Sequence, residues 1–282
     1  MQFNSSKFER LVIGENSNKT PVKDSSGEDI EQSEHVKDLG ITISDDMNFH
    51  QQIKNMIASA RMMSGWSRRT IRDRSRKPML TLLKMMIIPR LEYCCPLWSP
   101  YDKAQINQLE SVQREFTRQF KEFQTFDPVT KSFICTTPYW SRLKTLRLFS
   151  LQRRRERYII LYLVKIINGL VPNPGNRIKL GQYNARTKYR LSALKPPRDA
   201  PAWVKTLRWN SLLGKGLLLY NILPPHLREV IQHDHPGRLI NTYKTKLDKF
   251  LKKIDDKPGL DLQDFSNSLI HQIPHYLKNT TD

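Results

Sequence analysis

HVKDLGITIS (residues 35–44), FHQQIKNMIASARMMSGW (49–66), SRRTIRDRSRK (67–77) and PMLTLLKMMII (78–88) follow one another almost without filler, and their contrasting patterns decide the fold class. The first alternates apolar and polar residues, with Val36, Leu39, Ile41 and Ile43 around Gly40, which predicts a short strand. Ser44 and Asp45 then offer side-chain acceptors to the free amides of a starting helix. In the second run Phe49, Ile53, Met56, Ile57 and Ala60 make one apolar helical face, and Gly65 is expected to end the helix by tolerating positive φ. The third run is a basic turn. Arg68, Arg69, Arg72, Arg74, Arg76 and Lys77 follow Trp66, with only Asp73 against them. Pro78 suits the first position of a second helix, where its missing N–H costs nothing. Met79 to Ile88 is apolar almost all round apart from Thr81 and Lys84, so it is expected to be the central buried element.

Working outward, Pro89 should kink or end that segment, and a third helix should start at Asp102, with Ile106, Leu109, Val112, Phe116 and Phe120 at helical spacing. Upstream, residues 1 to 34 offer possible strands at Phe8 to Ile13 and near Ile30. Downstream, Phe123 to Pro138 reads as a connector and Ser141 as the start of a helix. Arg153, Arg154, Arg155 and Arg157 span more than a helical turn, so at least one must face its neighbours and snorkel or find an acid. Val171 to Pro201 reads as a basic loop rich in Pro and Gly. Trp203, Leu207 and Trp209 mark a return to packing, and Leu217 to Leu223 is an apolar segment stopped by Pro224 and Pro225. Arg238 to Ile254 is an amphipathic helix with Leu239, Tyr243, Leu247, Phe250 and Leu251 on one side. The expected class is mainly α: short N-terminal β-strands, then a helical bundle, then a second helical C-terminal region. The boundaries fall at 1–48, 49–125, 126–170, 171–202 and 203–282.

Charge narrows the functional classes. The chain of 282 residues has a formal net charge of +20 and a mean hydropathy of -0.58. Residues 1 to 50 hold five Lys or Arg against ten Asp or Glu, a net of -5, so the remaining 232 carry +25. An excess of that size favours a polyanionic partner and places binding downstream of the first strand. Cys94, Cys95 and Cys135 make no disulfide framework; they read as small buried residues in a reducing compartment. No apolar run reaches membrane-spanning length and the N-terminus has no apolar signal core, so an intracellular product is expected, in nucleus or cytoplasm, with no membrane partner.

Candidate chemistry is sparse. Asp45 and Asp46 after a strand invite a magnesium reading, but acids at a helix N-terminus explain them more simply. His226, His233 and His235, with His271 and His275, lack a nearby cysteine, and Pro236 and Pro274 disturb their register, so they read as surface histidines. No Gly-rich phosphate loop or hydrolase elbow occurs. No catalytic residue, metal ligand or small-molecule substrate is therefore assigned. The two Arg clusters combine phosphate-pairing forks with rings, Trp66 beside the first and Tyr158 beside the second, which favours nucleic acid.

HVKDLGITIS, MLTLLKMMIIPRLEYCCPLWSP (79–100) and QLESVQREFTRQF (108–120) resemble the segment that follows the catalytic palm in reverse transcriptases of LINE-type, jockey-like non-LTR retrotransposons. MQFNSSKFERLVIG (1–14) is similar to the end of that palm. YWSRLKTLRLFSLQRRRERYIILYLVKIINGLVPNPG (139–175) and GKGLLLYNILPPHLREV (214–230) are similar to the region distal to the thumb, so the resemblance covers nearly the whole chain. It implies an end-of-palm remnant with a primer-grip-like element at Leu39 and Gly40, then a thumb-like helical region. It also implies RNA or RNA–DNA template-primer as partner, bound through the backbone by Trp66, Arg68, Arg69, Arg72, Arg74, Arg76, Lys77, Arg153, Arg154, Arg155 and Arg157. The family is an RNA-directed DNA polymerase using Mg2+. Its metal-holding carboxylates, including the Tyr-x-Asp-Asp pair, lie upstream of residue 1 in the pattern, so this chain alone is expected to be inactive and to hold no cofactor. A degenerate retroelement product without function and a helical protein-interaction module are the alternatives.

Overall fold

The computed structural model describes residues 8–13, 20–173, 178–180, 191–193, 199, 202–228, 236–256 and 268–280. The chain is mainly helical, as the periodicities require. Phe8 to Ile13 and the neighbourhood of Ile30 do not become strands; they meet only in isolated bridges, Arg10 with Gln32 and Lys23 with Asp29. The expected first strand is in fact two. β1 (His35–Asp38) and β2 (Ile41–Ser44) form an antiparallel hairpin with Val36 opposite Ile43. Leu39 at φ 45 and Gly40 at φ 83 make its two-residue turn, the geometry that matches the twist of the strands. The Tyr93 hydroxyl donates to the Leu39 carbonyl at 2.9 Å and holds the tip.

α1 (His50–Thr70) starts after Phe49 without a side-chain cap, so Ser44 and Asp45 do not cap it. Ser44 is buried instead, with its hydroxyl 3.1 Å from His35 Nδ1. Nor does Gly65 end α1. The helix runs a further turn because Ser67 is buried and bonds back to the Ser64 carbonyl at 2.9 Å, which outweighs the roughly 1 kcal/mol that Gly costs a helix interior. It stops at an Asp73 turn, in which the Ser75 amide donates to Asp73 Oδ1 at 2.8 Å.

α2 (Arg76–Leu82) follows, with Pro78 in its first turn rather than at its first position, and then a π-helical stretch (Leu83–Ile87) leads into α3 (Ile88–Glu92). Pro89 has no N–H to continue an α-helical ladder, and the extra residue of the π turn absorbs the fault. That shift puts Leu83, Ile87, Ile88 and Leu91 on one face, all at most 3% exposed. The segment is therefore buried on one side only. Met85, 72% exposed, corrects the expectation of all-round burial. α4 (Cys95–Trp98) is a single turn that drives Trp98 into the core, where its indole N–H donates to the Tyr93 carbonyl at 2.6 Å. Cys95 is buried, but Cys94 is exposed, contrary to the reading of all the cysteines as interior.

α5 (Lys103–Thr117) begins at Asp102, whose carboxylate accepts from the Gln105 amide at 3.1 Å. The expected connector contains a second hairpin, β3 (Thr125–Asp127) and β4 (Ser132–Ile134). Asp127 accepts from the Val129 amide and the Thr130 hydroxyl, and Lys131 takes φ 49 to close the loop. α6 (Tyr139–Leu146) starts two residues before Ser141, and α7 (Leu151–Ile167) holds the second arginine cluster.

Beyond α7 the described parts are a hairpin of β5 (Ile178–Leu180) and β6 (Leu191–Ala193), then α8 (Ala202–Asn210), a π-helical stretch (Leu212–Gly216), α9 (Leu217–Asn221), α10 (Pro225–Arg228), α11 (Pro236–Leu251) and α12 (Leu269–Asn279). The supposed linker from Val171 to Pro201 thus contains paired backbone, while much of it, with the side chains of Trp203, Leu207 and Trp209, lies outside the described residues. The apolar face expected for α11 is buried, at Leu239, Tyr243, Leu247, Phe250 and Leu251. α12 forms in spite of the internal Pro274. Two apolar cores result. One runs from Ile41 to Leu151 and the other from Ile159 to Ile273, with Tyr158 packed against both. α7 is the shared spine.

Candidate nucleic-acid interface

The first basic cluster divides by what each head group touches. Arg68 and Arg69 end α1, where cations meet the negative end of the helix dipole, and both are exposed, as are Trp66, Arg72 and Lys77. Among the described residues no carboxylate pairs with Arg68, Arg69, Arg72 or Lys77. Arg74 and Arg76 are different. Arg74 donates to Gln119 Oε1 at 2.9 Å and to the Arg68 carbonyl at 2.6 Å, and its own carbonyl accepts from the Lys121 amide. Arg76 forks onto Glu122, Nε at 3.0 Å from one oxygen and Nη2 at 2.9 Å from the other. These two tie the basic turn to the end of α5.

Beside that turn lies a groove with a cavity of about 550 Å³, lined by Arg61, Ser64, Gly65 and Arg68 of α1, by Glu115, Arg118 and Gln119 at the end of α5, and by Phe133 and Cys135 of the second hairpin. The α1 residues recur at i, i+3, i+4 and i+7, a single stripe whose small middle members open space between two arginines. Arg61 reaches Glu115 at 3.5 Å, with both side chains about half exposed, a pairing that adds little stability and is free to yield to a phosphate. Buried Arg142 braces the groove floor. It donates to the Arg114 carbonyl, the Thr117 hydroxyl and the Thr137 carbonyl, fixing the hairpin exit against α5. Arg61, Arg118 and Phe133 were not singled out from sequence. The stripe on α1 was the available signal for Arg61, while Arg118 and Phe133 meet it only through tertiary packing.

The second cluster is not a surface. Arg153, Arg155 and Arg157 are 1%, 1% and 7% exposed, which removes them from any direct phosphate contact in this fold. Arg153 donates to the carbonyls of Leu251 (3.2 Å), Ile254 (2.7 Å) and Asp255 (2.8 Å) and to Gln272 Oε1 (2.6 Å), and lies 3.5 Å from Asp256. Arg154 forks onto Glu92 and Arg157 onto Asp248. Burial opposes the Arg154 charge, but the bond and charge of Glu92 outweigh it and raise its pKa. Arg155, wholly enclosed near Glu110 and Glu156, has both terminal nitrogens without a hydrogen-bond partner among the described residues, and burial lowers its pKa. The physical reason for the whole arrangement is that α7 passes between both cores, so most sides of its first turns meet protein and only Arg154, its side chain 26% exposed, keeps an edge to solvent. Sequence counted Glu156 as the only acid nearby. The structure brings Glu92, Glu110, Asp248 and Asp256 from elsewhere in the chain.

Those acids also cap helices. Glu110 accepts from the Leu151 and Gln152 amides and the Tyr139 hydroxyl, and Asp256 accepts from the Ser150 amide and hydroxyl, which together satisfy the start of α7. Glu156 does the same for α12, accepting from the Leu269 amide and Ser268 hydroxyl at 2.7 Å, with Lys215 Nζ at 3.2 Å. Burial raises the pKa of Glu110 and of Asp256 despite these donors.

Comparison of the chain with protein families, with curated proteins and with solved structures found no match in any of the three. Leu39 and Gly40 occupy the hairpin tip, with Leu39 84% exposed. Asp46 accepts from the Asn48 amide and side chain, a local turn. Among the described residues no group of three or more His, Cys, Asp or Glu is placed to hold a metal ion, and His233 and His235 lie outside them. Burial pushes the Cys95 thiol up to about 12, too high to serve as a nucleophile. No helix among the described residues is long and apolar enough to cross a membrane.

Proposed function

We propose that this chain grips nucleic acid with the face formed by the end of α1, the basic turn and the end of α5, in the manner of the thumb of a LINE-type reverse transcriptase. The observation that carries the reading is the convergence of Arg61, Arg68 and Arg118 on one groove, with Arg69, Arg72 and Lys77 following Arg68 along the chain and without carboxylate partners among the described residues. Guanidinium forks suit phosphate oxygens, and contacts of that kind hold a template-primer without reading its sequence. The resemblance of the three runs between residues 35 and 120 to the post-palm segment supports RNA or an RNA–DNA hybrid as the polyanion. In this reading the chain contributes grip, and polymerisation chemistry belongs to the palm carboxylates of the parent family.

The test is a salt titration of binding to a short RNA–DNA hybrid. Displacing counterions from about four to six phosphates gives a log–log slope of roughly -3.5 to -5.5. Replacing Arg61, Arg68 and Arg118 together by Gln should weaken binding and flatten the slope by nearly three units, since each lost phosphate contact removes close to one. A slope unchanged in the triple variant would reduce the affinity to diffuse charge and remove the basis for this face.

A further inference from the structure

We propose that the groove takes unpaired nucleotides, with a base stacked on the Phe126–Phe133 pair and the flanking phosphates on Arg61, Arg68 and Arg118; this rests on the nucleic-acid reading of the same face. The hairpin of β3 and β4 is the reason. Phe126 and Phe133 are directly opposed across it, their centroids 5.5 Å apart and their planes at 67°, so both rings stand on one face of the hairpin. They remain 53% and 67% exposed. Phe133 lines the groove and Phe126 packs edge-on against it, so the ring pair stands at the groove's rim.

Two exposed rings beside exposed guanidiniums are costly for a site that meets only a duplex. A duplex presents its phosphates and keeps its base faces stacked inside, so the rings would stay wet on binding. A single strand offers both partners at once, phosphates for the arginines and base faces for the rings, without reading sequence. The hairpin is also held firmly enough to serve as a platform, because Arg142 anchors the Thr137 carbonyl and the end of α5 from below. The site is thus suited to the junction between a duplex and its unpaired strand.

The experiment compares two labelled RNA–DNA hybrids by fluorescence anisotropy, one blunt and one carrying an RNA overhang of about six nucleotides, the scale of a small stacking site. The wild-type chain should bind the overhang hybrid about tenfold or more tightly than the blunt one, the gain expected for one stacked base. Phe126→Leu with Phe133→Leu keeps apolar bulk in the hairpin but removes the ring faces; it should lower overhang binding far more than blunt binding and so close the gap between the two hybrids. Arg68→Gln should weaken both. Equal wild-type affinity for the two hybrids would overturn the stacking proposal while leaving the nucleic-acid reading intact. So would a Leu double variant that weakens both alike, because the rings would then serve the hairpin itself. Failure of the wild type to bind either hybrid would remove the nucleic-acid reading and this proposal with it.

Discussion

Arg153→Ala is the substitution that separates skeleton from surface most sharply. In sequence Arg153 and Arg68 look alike, each an arginine in a basic run. In the fold Arg153 is 1% exposed and its guanidinium serves four acceptors on the segments that end α11 and on α12. Truncation leaves the Leu251, Ile254 and Asp255 carbonyls short of a donor and strips the cation from beside the mostly enclosed Asp256. Removing one partner of a buried, hydrogen-bonded pair costs about 3–5 kcal/mol, a large share of the roughly 5–15 kcal/mol that holds a typical domain folded. Urea unfolding followed by circular dichroism should show that loss as an early transition, with the C-terminal helices released first. Arg153→Lys, which keeps the charge but not the fork, should fall between variant and wild type. Arg68→Ala, by contrast, should leave the transition nearly in place. A loss below about 1 kcal/mol for Arg153→Ala, the range of exposed pairs, would refute the claim that the α7 arginines are interior.

Other expectations follow from the same contacts. Glu156→Ala uncaps α12 and leaves Lys215 without its buried anion, so hydrogen exchange should rise in residues 269–279 before it rises in α1 or α5; protection retained there would mean that α12 is anchored by packing alone. Gly40→Ala forces a side chain into φ 83 and should cost about 1 kcal/mol, read as a lower denaturation midpoint, whereas a neutral result would show that the hairpin tip relaxes. Glu110 has its pKa raised by burial, so the stability it contributes is full below the ordinary carboxylate range and is lost as pH rises through its folded value. Glu110→Gln removes that dependence, and its stability should therefore decline less than the wild type's over the same rise; superimposable pH profiles would contradict the assignment.

The helices with strong periodicity were legible because burial and pattern agree: the apolar face of α1 at Ile53, Met56, Ile57 and Ala60, Asp102 capping α5, and the apolar stripe of α11. The misses share a cause, in that a local signal was overruled by something distant. Gly65 reads as a stop, yet packing around Ser67 carries α1 onward. Leu39 and Gly40 read as the middle of a strand, because a non-Gly residue at positive φ leaves no trace in sequence. The Asp127 to Lys131 loop has no Asn-Gly signal, so its hairpin, and with it the ring pair, was invisible. At the interface, Arg68, Arg69, Arg72 and Lys77 stand exposed where sequence put them, but exposure is a tertiary property and the run at Arg153 shows it. An arginine cluster faces solvent or protein according to which acids the rest of the chain brings to it, and Glu92, Asp248 and Asp256 are far away in sequence.

The most direct test of the central claim is a map of where nucleic acid touches the chain. Photo-crosslinking an RNA that carries a thiolated pyrimidine, followed by peptide sequencing, should place adducts on peptides covering Arg61 to Lys77, Arg118 and Phe126 to Phe133. It should leave the segment from Leu151 to Ile167 unmarked. Adducts concentrated on that segment, or spread evenly along the basic chain, would contradict an account in which one arginine run grips a polyanion and the other holds the protein together.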